Sequence, residues 1–149
     1  MKIEKRTTVL SLVLVLVVAA FMIPTTVATK PGANMTNGGG MIVNMNNESH
    51  FDFNVKDVSG IVTGHLNYDD PANALSVDSI NVTMLTVTGN TATFTGFATI
   101  NGTGAFPFTV MVMDNSKNGK TPTPDMFMIT IDAYTRDENL TAGNIQINP

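Results

Sequence analysis

From residue 38 onward the chain is made of short runs in which apolar and polar residues alternate, separated by Gly, Asn, Asp and Pro. Period-two alternation puts one set of side chains on a buried face and the other on an outer face, as in a half-buried strand. Phe51, Phe53 and Val55 alternate with Asp52, Asn54 and Lys56. Ala92, Phe94, Gly96, Ala98 and Ile100 alternate with Thr91, Thr93, Thr95 and Thr99. Phe106, Phe108, Val110 and Val112 alternate with Pro107, Thr109, Met111 and Met113. Further strands are expected over 41–45, 61–68, 75–77 and 79–88, through Phe127, Ile129 and Ile131, and through Ile145 and Ile147 after Gly143. Residues 57–60, Gly89-Asn90 and Asn101-Gly102 read as turns, because Gly and Asn accept positive φ. No segment shows the 3.6-residue period of a helix. The expected fold is all-β, an antiparallel meander of about eight or nine strands. A sheet of that length buries its apolar face by closing as a barrel or by packing as a two-sheet sandwich. The apolar first and last strands favour pairing of the two termini, which removes free edges.

Residues 1–28 carry a different pattern. Lys2, Lys5 and Arg6 precede an uninterrupted apolar run from Leu12 to Ile23, and Pro24 ends it. Thr26 and Ala28 suit the −3 and −1 positions of a signal-peptidase site. The apolar stretch, about 15 residues with its approach, falls short of the roughly 20 that cross a bilayer as a helix. An N-terminal apolar signal helix cleaved after Ala28 is expected, with an uncleaved anchor as the rival. Either one places the remainder outside the cytoplasm, secreted or at the cell surface. No later stretch approaches span length, so no membrane span is expected in the mature chain. The organisation read from the sequence is a signal peptide over 1–28, a flexible lead-in over 29–37 and a single all-β domain over 38–149, opened by Gly38-Gly39-Gly40.

Composition then narrows the function classes. Removing 28 of the 149 residues leaves 121, with 5 of the 8 Lys/Arg and 11 of the 12 Asp/Glu, a net charge of −6. That balance offers no basic face to displace counterions, so no nucleic-acid partner is expected. The absence of Cys excludes disulfides, thiolate metal sites and a cysteine nucleophile. Enzyme templates also fail: there is no G-x-S-x-G elbow, no H-E-x-x-H and no phosphate-cradling G-x-x-x-x-G-K-[ST]. No catalytic residue, cofactor or enzymatic activity is therefore expected.

Four groups of residues carry candidate chemistry. His65 with Asp69 and Asp70 offers a ring nitrogen and carboxylates, set against a simple polar strand end. In a strand Asp69 and Asp70 face opposite ways, so at most one meets His65. Asp114, Asn115, Asn118 and Asp125 offer oxygen ligands of the kind calcium takes, although the spacing is not that of a calcium loop and Lys117 and Lys120 intrude. Five N-x-[ST] sequons at Asn34, Asn47, Asn81, Asn101 and Asn139 are acceptors for N-glycosylation of an exported chain. Random placement would give roughly three, so the excess is mild. Met111/Met113 and Met126/Met128 share strand faces opposite to the Phe residues. With Met41, Met45 and Met84 they read as packing residues or as a soft contact surface.

Several stretches, taken in order, resemble the post-COAP domain family of small exported β domains. They are Gly38-Gly39-Gly40, Phe51-Asp52-Phe53-Asn54-Val55-Lys56, Gly64-His65-Leu66-Asn67-Tyr68 with Asp70, and Asn90-Thr91-Ala92-Thr93-Phe94-Thr95-Gly96. Asn101-Gly102, Phe108-Thr109-Val110 running to Asp114-Asn115, Asp125-Met126-Phe127-Met128-Ile129 and Gly143-Asn144-Ile145-Gln146-Ile147 continue the series. The resemblance implies an accessory module, often attached to larger exported proteins, with no catalytic residues to carry over. Relatives with histidines in the stretch that is here 70–78 have no counterpart in this chain, which speaks against a metal role for that loop. The expected function is an exported, non-catalytic β module with a structural or recognition role at the cell surface, its partner an unidentified protein or glycan of the cell envelope. The alternative is a small-ligand or carbohydrate-binding β-barrel.

Overall fold

Residues 32–116 and 123–149 are described by a computed structural model; the expected signal helix over 1–28 lies outside them. Eight strands occur among the described residues: β1 (Asn34–Asn44), β2 (Asn47–Val58), β3 (Ile61–Asp70), β4 (Leu75–Thr88), β5 (Thr91–Ile100), β6 (Thr103–Met113), β7 (Met126–Ile131) and β8 (Tyr134–Asn148). Each pairs antiparallel with its neighbour in sequence, and β1 pairs antiparallel with β8, so the meander is a closed barrel and not a sandwich. The termini pair, as the apolar first and last strands implied.

The barrel interior is filled with side chains. Phe51 and Phe127 stack with centroids 4.0 Å apart, and Tyr68 lies 5.9 Å from Phe127. Phe53 tilts against Phe94 at 5.2 Å, and Phe94 meets Phe108 edge-on at 6.2 Å. Leu66, Val77, Val110, Ile129, Ile131, Ile145 and Ile147 are among the branched chains packed around them. Burying such rings and branched chains supplies the main driving force, about 1.5–3 kcal/mol for each large residue. The alternation read in β2, β5, β6 and β7 therefore corresponds to inside and outside.

Four assignments shift. The lead-in expected over 29–37 gives way to β1 from Asn34, and the glycine triplet lies in the middle of that strand. Met45, expected at a strand end, turns the chain with Asn46; both have positive φ, 49° and 71°. Two left-handed residues twist a hairpin in the sense its strands require. Segments 75–77 and 79–88 are one strand, β4, interrupted by register shifts between Ser79 and Asn81 and between Val82 and Met84. Each extra residue resets the inside-outside phase, so Val82 and Leu85 face inward at uneven spacing. Finally, β8 begins at Tyr134, well before Ile145.

The seam between β1 and β8 is built on glycine. Gly40 sits opposite Gly143. A Cβ at Gly40 would lie 2.4 Å from the Ala142 carbonyl oxygen, and one at Gly143 would lie 2.2 Å from the Gly39 oxygen. Gly143 also has φ +104°, a conformation that L side chains rarely adopt. One register shift between Met41 and Ile42 lets Thr141 bulge out, and its hydroxyl donates to the Met41 oxygen at 3.0 Å. Replacing Gly143 by Ala should therefore cost at least about 3 kcal/mol in urea unfolding. Gly89→Ala, at a turn with φ +62° and open space around it, should cost about 1 kcal/mol. Equal losses at the two positions would show that backbone approach at the seam is not limiting.

Candidate functional site

At the end of the barrel where β3 finishes and β8 starts, Asp70 points inward in phase with Leu66 and Tyr68 and is fully buried. Its Oδ2 accepts hydrogen bonds from Tyr134 Oη at 2.5 Å, from an Arg136 terminal nitrogen at 2.6 Å and from Asn73 Nδ2 at 2.8 Å. The Tyr68 and Tyr134 hydroxyls lie 2.6 Å apart, and Arg136 Nε donates to Tyr134 Oη at 3.3 Å. Burial by itself would raise the Asp70 pKa, but the bonds from Tyr134, Arg136 and Asn73 outweigh it and hold the carboxyl down from 3.8 to about 2. Burial, with the adjacent Asp70 carboxylate, pushes the Tyr134 phenol well above the usual range. The bond to Asp70 likewise raises Arg136. A short 3₁₀ turn, Pro71–Asn73, caps this end, the Asn73 backbone N–H donating to Asp70 Oδ1 at 3.4 Å. The arrangement is an ion pair held by phenols; the Tyr134 phenol stays protonated and the Asp70 carboxylate charged at neutral pH.

The opposite end repeats the device with backbone amides. Beyond Leu140 strand β8 runs past the start of β7, and the outward edge of its last residues faces the segment after β6. Asp125 and Asp114 supply the missing acceptors. Asp125 Oδ2 accepts from Ile145 N at 2.8 Å, while its Oδ1 accepts from Asn115 N, Ser116 N and Ser116 Oγ at 2.9, 3.2 and 3.2 Å. Asp114 Oδ2 accepts from Ile147 N at 3.3 Å. Asn115 bridges Asn90 and the Pro124 carbonyl. Of the residues proposed as oxygen ligands, Asn118 lies outside the described residues; Asp114, Asn115 and Asp125 are brought together, but their side chains serve N–H donors of the fold.

His65 meets neither Asp69 nor Asp70. On the outer wall its Nε2 lies 2.9 Å from Asp52 Oδ1 across the β2–β3 pair, with both side chains more than half exposed. Asp69 is also on the outer wall, opposite His50. Two shallow clefts flank Asp52. One, about 450 Å³, runs over Gly38 and is lined by Asn37, Asn54, His65, Asn144 and Gln146. The other, about 220 Å³, lies among His50, Asn67, Asp69, Ser76 and Asp78. The methionines are on the outer wall as well: Met111 pairs with Met128 and Met113 with Met126, all four half-buried.

The sequence reading missed Tyr134 and Arg136. One signal was available: Arg136 is the single arginine after Arg6, and an inward Asp70 requires a cation. Comparison with family models, with curated proteins and with solved structures returned no match.

Two predictions rest on these ends. Arg136→Met leaves a buried carboxylate without its cation and should cost about 3–5 kcal/mol at pH 7 in denaturant unfolding. Because the folded-state pKa of Asp70 is depressed, its contribution is fully present above the ordinary value of 3.8 and lost as pH falls toward about 2. The wild type should thus lose about 2 kcal/mol across that window through this group, and the variant should lose less. An identical acid limb in both proteins would remove Asp70 from the account. At the other end, Asp125→Ala strips acceptors from Ile145, Asn115 and Ser116 and should lower the melting temperature by several degrees, the equivalent of about 2–3 kcal/mol. Millimolar calcium should leave the wild-type melting temperature unchanged; a calcium-dependent rise would show the loop exchanging these amides for the ion.

Proposed function

We propose that this chain is an exported, non-catalytic β module with a structural or recognition role at the cell surface, acting through the outer wall of its barrel. One observation carries the reading: the interior is occupied by stacked aromatic and branched side chains, and the three buried carboxylates, Asp70, Asp114 and Asp125, spend their oxygens on the fold. What remains for a partner is the wall, with its amide-lined clefts and the paired methionines of β6 and β7. The export signal read in residues 1–28 and the ordered resemblance to post-COAP domains support the same role.

A second reading, carbohydrate binding, draws on the cleft over Gly38. Asn37, Asn54, Asn144 and Gln146 beside Asp52 present both donors and acceptors to a sugar's hydroxyls. The flat rings that usually stack on sugars are inside the barrel, Phe97 being the main exception at 44% exposure.

The experiment is capture from solubilised cell envelope of the native host on immobilised mature protein, paired with native mass spectrometry. A wall-acting module should retain an envelope protein, lose it when Asn144→Arg fills the cleft or Met128→Glu charges the methionine face, and show the same mass before and after denaturation. A small molecule released only on denaturation would sink the reading in favour of an interior ligand site. Oligosaccharide-induced shifts of the His65 and Asn144 resonances would decide for the sugar-binding alternative.

A further inference from the structure

Two hydroxyls in the barrel have no use in the fold. Thr36 Oγ1 and Ser49 Oγ belong to fully buried residues and have no hydrogen-bond partner among the described residues. Buried polar atoms are almost always paired, so each such orphan calls for a reason. Thr36 could be replaced by isosteric Val, and Ser49 by Ala, without losing a contact that the fold uses.

Both hydroxyls stand two residues after an asparagine, in Asn34-Met35-Thr36 and Asn47-Glu48-Ser49. The hydroxyls of the other three N-x-[ST] triplets are all employed in the fold. Thr83 Oγ1 donates to the Thr95 oxygen at 3.2 Å, Thr103 Oγ1 to the Ile100 oxygen at 3.0 Å and Thr141 Oγ1 to the Met41 oxygen at 3.0 Å. Two of those three asparagines are tied down as well, while Asn139 is exposed. Asn81 Oδ1 accepts from Phe97 N, and the Asn101 amide is held at both ends, by Ser76 N and the Ala74 oxygen. Asn34 and Asn47 head β1 and β2 with no side-chain hydrogen bond among the described residues, Asn47 exposed and Asn34 half-buried.

We infer that Asn34 and Asn47 are N-glycosylated, and that Thr36 and Ser49 are kept because the transferring enzyme reads their hydroxyls before β1 and β2 fold. In that transfer the asparagine amide nitrogen forms a bond to the anomeric carbon of an oligosaccharide carried on a polyprenyl phosphate or pyrophosphate. The bond from that carbon to the phosphate oxygen breaks, its electron pair leaves with the phosphate, and the amide proton passes to a base of the enzyme. After folding the hydroxyls are sealed inside while the asparagines stay at the rims. Asn34 lies opposite Asp57 at one end of the β1–β2 hairpin and Asn47 opposite Asn44 at the other. By period two each asparagine is on the inward face of its strand, so a glycan rises at each mouth of the barrel and leaves the wall clear.

The test has two arms. Glycopeptide mass spectrometry of the protein from its native host should find sugar on the Asn34 and Asn47 peptides and bare peptides at Asn81 and Asn101. Bare Asn34 and Asn47, or equal occupancy of all four, overturns the inference. In a host without N-glycosylation, Thr36→Val and Ser49→Ala in the full chain should melt at or above the wild-type temperature. A drop of several degrees in both would show that the hydroxyls serve the fold, and would overturn it from that side.

Discussion

Closure of the barrel at the β1–β8 seam is the constraint on which the other features depend. A meander of eight strands left open would present two edges, each a row of unpaired amides and carbonyls inviting another chain to pair. Joining β1 to β8 removes both, but neither strand presents an unbroken apolar inward face. Neither has the packing of β2 or β5 to hold it; β1 contributes Ile42 and three glycines, and β8 has a polar first half. The seam is held by close backbone approach instead, which only Gly40 and Gly143 permit. The glycine triplet thus has a structural reason beyond chain flexibility.

Closure also creates two ends, and each presents a difficulty of unsatisfied polar groups. At one end β3 stops at Asp70 and a single 3₁₀ turn must lead into β4; at the other, β8 outruns β7 and leaves amides at Ile145 and Ile147 without a ladder. An unpaired buried amide costs about as much as the whole net value of several satisfied bonds. Buried carboxylates resolve both cases, Asp70 by way of Arg136 and two tyrosines, Asp114 and Asp125 by accepting the amides directly. One arginine thus serves one of these carboxylates, and amides serve the others.

Where one face of a strand was apolar throughout, the sequence was enough to read it. The alternation in β2, β5, β6 and β7 corresponds to the barrel's inside and outside, and Asn101-Gly102 turns the chain with both residues at positive φ. The rest was hidden for specific reasons. In β4 two bulges reset the phase, so Val77, Val82 and Leu85 share a face at irregular intervals. In β8 the inward positions Arg136 and Glu138 are charged, because they meet Asp70 and Asn44 across the barrel end, and the pattern looks inverted. Asp114 and Asp125 resembled ion ligands because a carboxylate that binds amides and one that binds calcium want the same loop of oxygen-rich residues. Only the direction of β8 past β7 decides between them, and that is a tertiary fact.

With the barrel interior filled, the free surface is its wall, and the wall's chemistry follows from composition. With 16 Asn and few charges, outward positions carry amides and hydroxyls, as Asn37, Asn54, Asn144 and Gln146 do around Asp52. Amides offer a donor and an acceptor on one small group and keep both at every pH, so contacts made through them do not depend on ionisation or on screening by salt. The paired methionines on β6 and β7 add a polarizable apolar face that adjusts its shape without a charge. Shape and hydrogen bonding are what such a wall offers, and the one exposed ion pair among the described residues, His65 with Asp52, sits where its two clefts meet at Asp52.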